Sequence, residues 1–275
     1  MEIVKMAGYE FLYEPKEPVF IFPHISNLTT KFYSSDSERQ YDKNQGKYLP
    51  YYEDVKYTFN SHGYRTVDFE SIKKPFALVH GCSHTEGVGL YEEDLYATKV
   101  CEHYGLQCVN IAKAGSAPDF NILNSMMWFN SDLPKPEVVL FQVPNIRRYA
   151  GFSMEENEFE GKMLVNHTIA DRLKYEGVAG VDAILDEISI DIYDTLAVKT
   201  DIMLSSLVEL WKSVGTKVLV WSWDQDMHDS LNTVKFFAPE GDERANTYGR
   251  DMMHAGAPYQ ECLTNFLIET IDNES

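Results

Sequence analysis

Cysteine is scarce in this chain of 275 residues, with only four. Cys82, Cys101, Cys108 and Cys262 are scattered and form no CxxC pair, which argues against a zinc ribbon. A chain of this size with 44% hydrophobic residues needs no disulfide framework, so the four read as free thiols in a reducing compartment. Basic residues are also few, 24 against 43 acidic ones, for a net charge of −19. That field repels phosphate backbones and anionic lipid surfaces, so neither nucleic acid nor a membrane is an expected partner. No window approaches eighteen apolar residues, which leaves no spanning helix. The opening stretch, MEIVKMAGYEFLYEPKEP, lacks a basic segment followed by an apolar one and is not a signal peptide, so the expected location is cytoplasmic. On that expectation the triplets Asn27-Leu28-Thr29 and Asn166-His167-Thr168 are chance matches to the glycosylation pattern. Internal repeats and low-complexity linkers are lacking too.

What is present is an alternation of apolar runs and helical patterns. Residues 1–72 mix tyrosine, proline and charge, as in KYLPYYEDVKYTFNSHGYR, without helical periodicity, and read as an N-terminal extension of short strands and loops packed on something larger. From residue 73 the pattern changes. PFALVHG is a buried strand, EEDLYATKVCEHYG a helix with Gly105 at its end, and QCVNIA a strand. PDFNILNSMMWFNSD is a helix with Pro118 near its start, and EVVLFQVP a strand. An insertion is expected at about 150–198, comprising the acidic EENEFEGK and a mixed helical stretch, DRLKYEGVAGVDAILDEI. The core resumes with the helix TDIMLSSLVELWKSVG, the strand TKVLVWSW, the loop DERANTYGRDMMHAG and the last helix, PYQECLTNFLIETI. Alternation of this kind builds βαβ units on a parallel sheet, so residues 73–275 are expected to form one α/β domain.

Reactive groups in open parallel sheets sit beyond the carboxyl ends of the strands. Ser83 lies there, in HGCSHTEG after the first strand, between two glycines. The same position also suits an ordinary helix N-cap serine. A serine nucleophile needs a histidine base, and the base needs an orienting carboxylate. Asp251 and His254, three apart in the loop before the last helix, suit those roles, although a polar loop with a solvated pair looks the same in sequence. Gly115 follows the strand QCVNIA, and Asn145 follows EVVLFQVP. A backbone N–H at Gly115 and the Asn145 amide can join the Ser83 N–H as oxyanion donors, each worth roughly 3 kcal/mol in hydrolases. A turn glycine and a loop asparagine are the plainer readings.

The order of these residues resembles the SGNH (GDSL-like) hydrolase superfamily. Its first block, Gly-Asp-Ser-x-Thr-x-Gly, is similar to Gly81-Cys82-Ser83-His84-Thr85-Glu86-Gly87, and its last block is similar to Asp251 through Gly256. Asn60-Ser61-His62-Gly63-Tyr64-Arg65 also resembles a stretch that often precedes the first block. The resemblance covers about residues 60–150 and 200–272. It implies a flavodoxin-like three-layer α/β/α sandwich with a mostly parallel sheet. It also implies Ser83 as nucleophile, His254 as base, Asp251 as its orienter, and Ser83 N–H, Gly115 and Asn145 as the oxyanion hole. Two blocks depart from the pattern: Cys82 stands where the family has aspartate, and Val143-Pro144-Asn145-Ile146 keeps only the asparagine of Gly-x-Asn-Asp.

The expected function is hydrolysis of a carboxylic ester through an acyl-serine, with a small acyl group on a carbohydrate as substrate and no cofactor. An O-acyltransferase on the same triad and a non-catalytic module of the same fold are the alternatives. Trp223 could stack on a sugar, and Asp226, His228 or Arg147 could contact substrate, although a buried tryptophan beside a solvated acidic loop is the plainer reading of Trp221 to Asp229. For Arg147 and Arg148, surface pairing with acidic neighbours is the plainer reading than binding an anionic substrate. His80, Cys82 and His84 alternate as zinc ligands can, but the turn after His80 breaks the shared face, so no metal is expected.

Overall fold

The computed structural model describes residues 5–6, 9–10, 17–47, 52–146, 148–153, 160–165, 181–222, 234–237 and 248–274. Two short strands, β1 (Lys5–Met6) and β2 (Tyr9–Glu10), pair antiparallel at the start of the chain. The centre is a five-stranded sheet of β5 (Phe76–His80), β6 (Gln107–Asn110), β7 (Val138–Gln142), β10 (Lys217–Ser222) and β11 (Lys235–Phe236), in the order β11-β10-β7-β5-β6. Each adjacent pair is parallel. Counted by appearance in the chain, the order is 2-1-3-4-5, the flavodoxin-like doubly wound arrangement expected above. The winding reverses between β5 and β7, which opens a crevice beyond their carboxyl ends.

Both faces of the sheet are covered, so its strands are apolar on both sides. Phe76 and Leu78 of β5, Val139 and Phe141 of β7, and Val220 of β10 pack with Trp128 and Trp211. Those tryptophans belong to α4 (Pro118–Asn130) and α5 (Val181–Lys212). The alternate residues Ala77, Val79, Leu140, Leu219 and Trp221 pack with Tyr96, Val100, Tyr259 and Leu263. These come from α3 (Tyr96–His103) and α6 (Ala257–Glu274) on the opposite face. Burying one such side chain stabilises the fold by roughly 1.5–3 kcal/mol. The helical patterns read separately at 171–188 and 200–215 meet in α5, which runs unbroken across residue 198. Ahead of it, β8 (Arg148–Ser153) and β9 (Glu160–Val165) form an antiparallel hairpin.

Residues 17–47 and 52–72 lie against this core. Val19, Tyr64 and Phe69 are buried in the cluster around Trp128. A third cluster joins Ile25, Tyr52, Val55, Tyr57 and Phe59 to Leu90 and Leu95. Strands β3 (Thr29–Thr30) and β4 (Tyr57–Thr58) pair antiparallel. The stretch also holds α1 (Glu38–Asn44), a helix the sequence did not announce. Seven residues are too few to display a 3.6-residue period, and the helix is set instead by Ser37, whose side chain accepts from the Gln40 N–H at 3.3 Å.

Candidate active site

Strand β5 ends at His80, and the chain turns through Gly81 and Cys82 into the one-turn helix α2 (Ser83–Glu86). Cys82 is the N-cap, so Ser83 is the first helical residue rather than the cap that a plain reading of the turn suggested. The N–H groups of Thr85 and Glu86 close the turn on the Cys82 carbonyl at 3.0 and 2.9 Å. Gln142, at the end of β7, braces it from the neighbouring strand: its Oε1 accepts from the Cys82 N–H at 2.9 Å and from the Thr85 hydroxyl at 3.3 Å. A Cβ at position 81 would sit 2.2 Å from Thr85 Oγ1 and 2.8 Å from Gln142 Oε1, so only glycine fits.

The loop before α6 brings the other two residues to this turn. Its ends are tied by the Gly249 N–H donating to the His254 carbonyl at 2.8 Å. Asp251 Oδ2 lies 2.6 Å from His254 Nδ1, and His254 Nε2 lies 2.7 Å from Ser83 Oγ. An ionised carboxylate only accepts, so Nδ1 carries the proton and Nε2 accepts from the Ser83 hydroxyl. Asp251 is buried, and its Oδ1 accepts from the N–H groups of Met253 and His254 at 3.0 and 3.1 Å. Burial pushes this carboxyl up, but the hydrogen bond and charge of His254 and those two N–H groups outweigh it and hold the carboxyl below its ordinary value. The His84 ring meets the His254 ring edge-on, with centroids 4.6 Å apart.

Gly115 sits at φ +75° in the turn after β6, which is hung on the serine turn. The Lys113 N–H and the Ser116 hydroxyl both donate to the Gly81 carbonyl, at 3.1 and 2.8 Å. The Ala114 N–H donates to Glu86 Oε2 at 2.6 Å, and the Ser116 N–H to the Lys113 carbonyl at 3.0 Å. The Gly115 N–H is therefore the one amide of this turn that makes no hydrogen bond among the described residues. Glu86 also pairs with buried Lys113 at 2.8 Å, locking the end of α2 to the start of this turn. Asn145 lies exposed beyond the end of β7.

Arg147, Trp223, Asp226 and His228 lie outside the described residues. Arg148 is half-buried at the start of β8, and its charge is felt at the Cys82 thiol, which burial holds above its ordinary value. Trp221 is fully buried against Tyr96. His80 is buried beside Phe141 with no partner for either ring nitrogen among the described residues, and burial pushes it down to about 3. Among the described residues, no three His, Cys, Asp or Glu side chains are grouped to hold a metal. Gln142, the Glu86–Lys113 pair and Ser35, whose hydroxyl donates to Asp251 Oδ2 at 2.7 Å, were not read as site residues. Gln142 alone left a trace, as a polar residue closing an apolar strand.

A hydroxyl, an imidazole and a buried carboxylate in hydrogen-bonded series can pass a proton from oxygen to nitrogen while holding the resulting imidazolium. With the 2-1-3-4-5 sheet, this makes the chain a doubly wound α/β/α protein with a serine, a histidine and a carboxylate in series beyond the end of its first core strand. No protein-family model and no curated protein matches the chain. Solved structures similar to it include a carbohydrate esterase whose active site displays divergent catalytic and non-catalytic binding functions. That match has 13% identity and a TM-score of 0.44, over 73% of this chain and 65% of that one. TesA matches at 14% identity and TM-score 0.42, over 71% of this chain and 97% of that one. The acetyl xylan esterase Est2A from the rumen bacterium Butyrivibrio proteoclasticus matches at 10% and 0.42, over 74% and 65%. The chain thus spans 65% of the length of the two carbohydrate-active esterases. No helix among the described residues is long and apolar enough to cross a membrane.

Proposed function

We propose that this protein is a serine hydrolase that cleaves a carboxylic ester through an acyl-serine. The observation that carries this reading is the unbroken series Ser83 Oγ–His254 Nε2 at 2.7 Å and His254 Nδ1–Asp251 Oδ2 at 2.6 Å, placed beyond the carboxyl end of β5. Ser83 Oγ attacks the ester carbonyl while its proton passes to His254 Nε2. Asp251 holds the ring in the tautomer that can accept it and offsets the imidazolium charge. The tetrahedral oxygen takes its negative charge beside the N–H groups of Ser83 and Gly115 and the Asn145 amide. Collapse breaks the ester C–O bond, and His254 returns the proton to the leaving alcohol. Water, deprotonated by His254, then releases the acid and restores Ser83. None of these steps uses a cofactor. The substrate is a small acyl ester of a carbohydrate, a reading that rests on the polar, aromatic sequence of the segments that follow the core strands.

A fluorophosphonate probe read by intact mass tests the assignment. Wild type gains one adduct, and Ser83→Ala gains none and loses at least about a thousandfold in turnover of an activated acetate ester. An adduct that persists in Ser83→Ala assigns the nucleophile elsewhere. A folded wild type that takes no label is a non-catalytic module.

A further inference from the structure

The N-terminal extension meets the loop bearing Asp251 and His254 through Ser35, Asp36 and Asn44, whose amide donates to the Asp251 carbonyl at 3.5 Å. Tyr33 and Asp36 exchange backbone hydrogen bonds at 3.0 and 3.1 Å, closing a tight turn with Ser34 at φ +57°. Asp36, fully buried, pairs with Arg250 at 2.7 Å and accepts from the Tyr57 hydroxyl at 2.5 Å. Arg250, fully buried too, also donates to the carbonyls of Lys31, Glu53 and Val55. This anchoring fixes the turn against the loop that bears Asp251 and His254. The next residue back, Ser35, donates its hydroxyl at 2.7 Å to Asp251 Oδ2, the same oxygen that accepts from His254 Nδ1.

We infer that Ser35 is a positioning residue, the fourth member of the Ser83–His254–Asp251 series, supplied by the N-terminal segment. The inference rests on the hydrolase reading of that site. With Ser35 in place, all four hydrogen bonds to the carboxylate are made by neighbouring protein groups, two at Oδ1 and two at Oδ2. The carboxylate plane, and the ring it orients, are then fixed. Among the described residues, the other titratable groups facing His254 are Asp251 in its own loop and His84 from α2. The Arg250–Asp36 pair and Cys82 lie one residue beyond. A Ser35 substitution changes none of them.

The test compares wild type, Ser35→Ala, Ser35→Thr and Ser35→Cys, the last keeping the volume with a much weaker donor. Asp36 and Arg250 remain in all of them, so the turn stays anchored, and a thermal melt checks this. The first readout is the Nδ1–H proton resonance of His254 followed by NMR, assigned with His254→Gln. The expected result is a resonance displaced in Ser35→Ala and Ser35→Cys and restored in Ser35→Thr, because the carboxylate oxygen that accepts from Nδ1 has lost its second donor. The second is turnover of the activated ester, with kcat down about tenfold or more in Ser35→Ala and KM little changed. An identical resonance in wild type, Ser35→Ala and Ser35→Cys overturns the inference, as does an unchanged kcat. If the hydrolase reading itself fails, wild type shows no turnover, and the resonance still decides the role of Ser35.

Discussion

Cys82 caps the helix that carries Ser83, yet its side chain makes no capping bond. The bracing comes from Gln142, which takes the Cys82 N–H and the Thr85 hydroxyl from the adjacent strand. This is why the turn keeps its shape although the aspartate of the resembled family is missing. Gln142→Leu strands a buried N–H, which costs roughly 1–3 kcal/mol. The expected result is a lower urea midpoint and slower fluorophosphonate labelling, with the adduct still on Ser83. At this scale Ser83, Asp251 and His254 were legible because their chemistry demands particular residue types in a particular order. Gln142, Ser35 and Lys113 were not, because hydrogen bonds between residues 60, 216 and 27 positions apart leave no local pattern.

Strand β5 illustrates what an element conceals. Its apolar run was readable as a buried strand, but the only role weighed for the last residue, His80, was that of a zinc ligand, set aside because the turn after it breaks the shared face. In the fold it is fully buried, and burial alone holds it neutral to a pH of about 3. An unfolded histidine takes up a proton near pH 6.5. Between those values the unfolded chain binds more protons than the folded one, so His80 contributes stability that is complete above about pH 6.5 and is lost as pH falls toward 3. The slope approaches about 1.4 kcal/mol per pH unit. Denaturant titrations at pH 7 and pH 5 are expected to show a larger acid loss in wild type than in His80→Leu, which cannot titrate. Equal losses in both would remove His80 as the source. Elements with a strong period and length were legible in the same way, from β6 through α4 to β7. A seven-residue helix such as α1 was not.

Across the whole molecule, a parallel sheet followed from alternating strand and helix patterns, which are local signals, while its flavodoxin-like order came only with the family resemblance. The placement of the first 72 residues did not, because it depends on contacts between chain ends. Asp36 and Arg250 are 214 positions apart and form a fully buried pair. Asp36→Ala leaves Arg250 charged and unpaired in the interior, which costs roughly 3–5 kcal/mol. Guanidinium unfolding is expected to show that loss, and Arg250→Met in the same chain to recover part of it. A loss below 1 kcal/mol would mean that the N-terminal segment is merely draped over the core.

That long connection also sets an order of events in time. Contacts distant in sequence close late in folding, because the intervening chain must first be ordered. As the polypeptide is made, the turn bearing Ser83 and its neighbouring strands emerge well before residues 250–254 exist. Until the Arg250 loop arrives and is gripped by Ser35 and Asp36, the serine has no base beside it. On the hydrolase reading, a half-made chain therefore carries an inert hydroxyl, and attack on an ester waits until Asp36 and Arg250 have met.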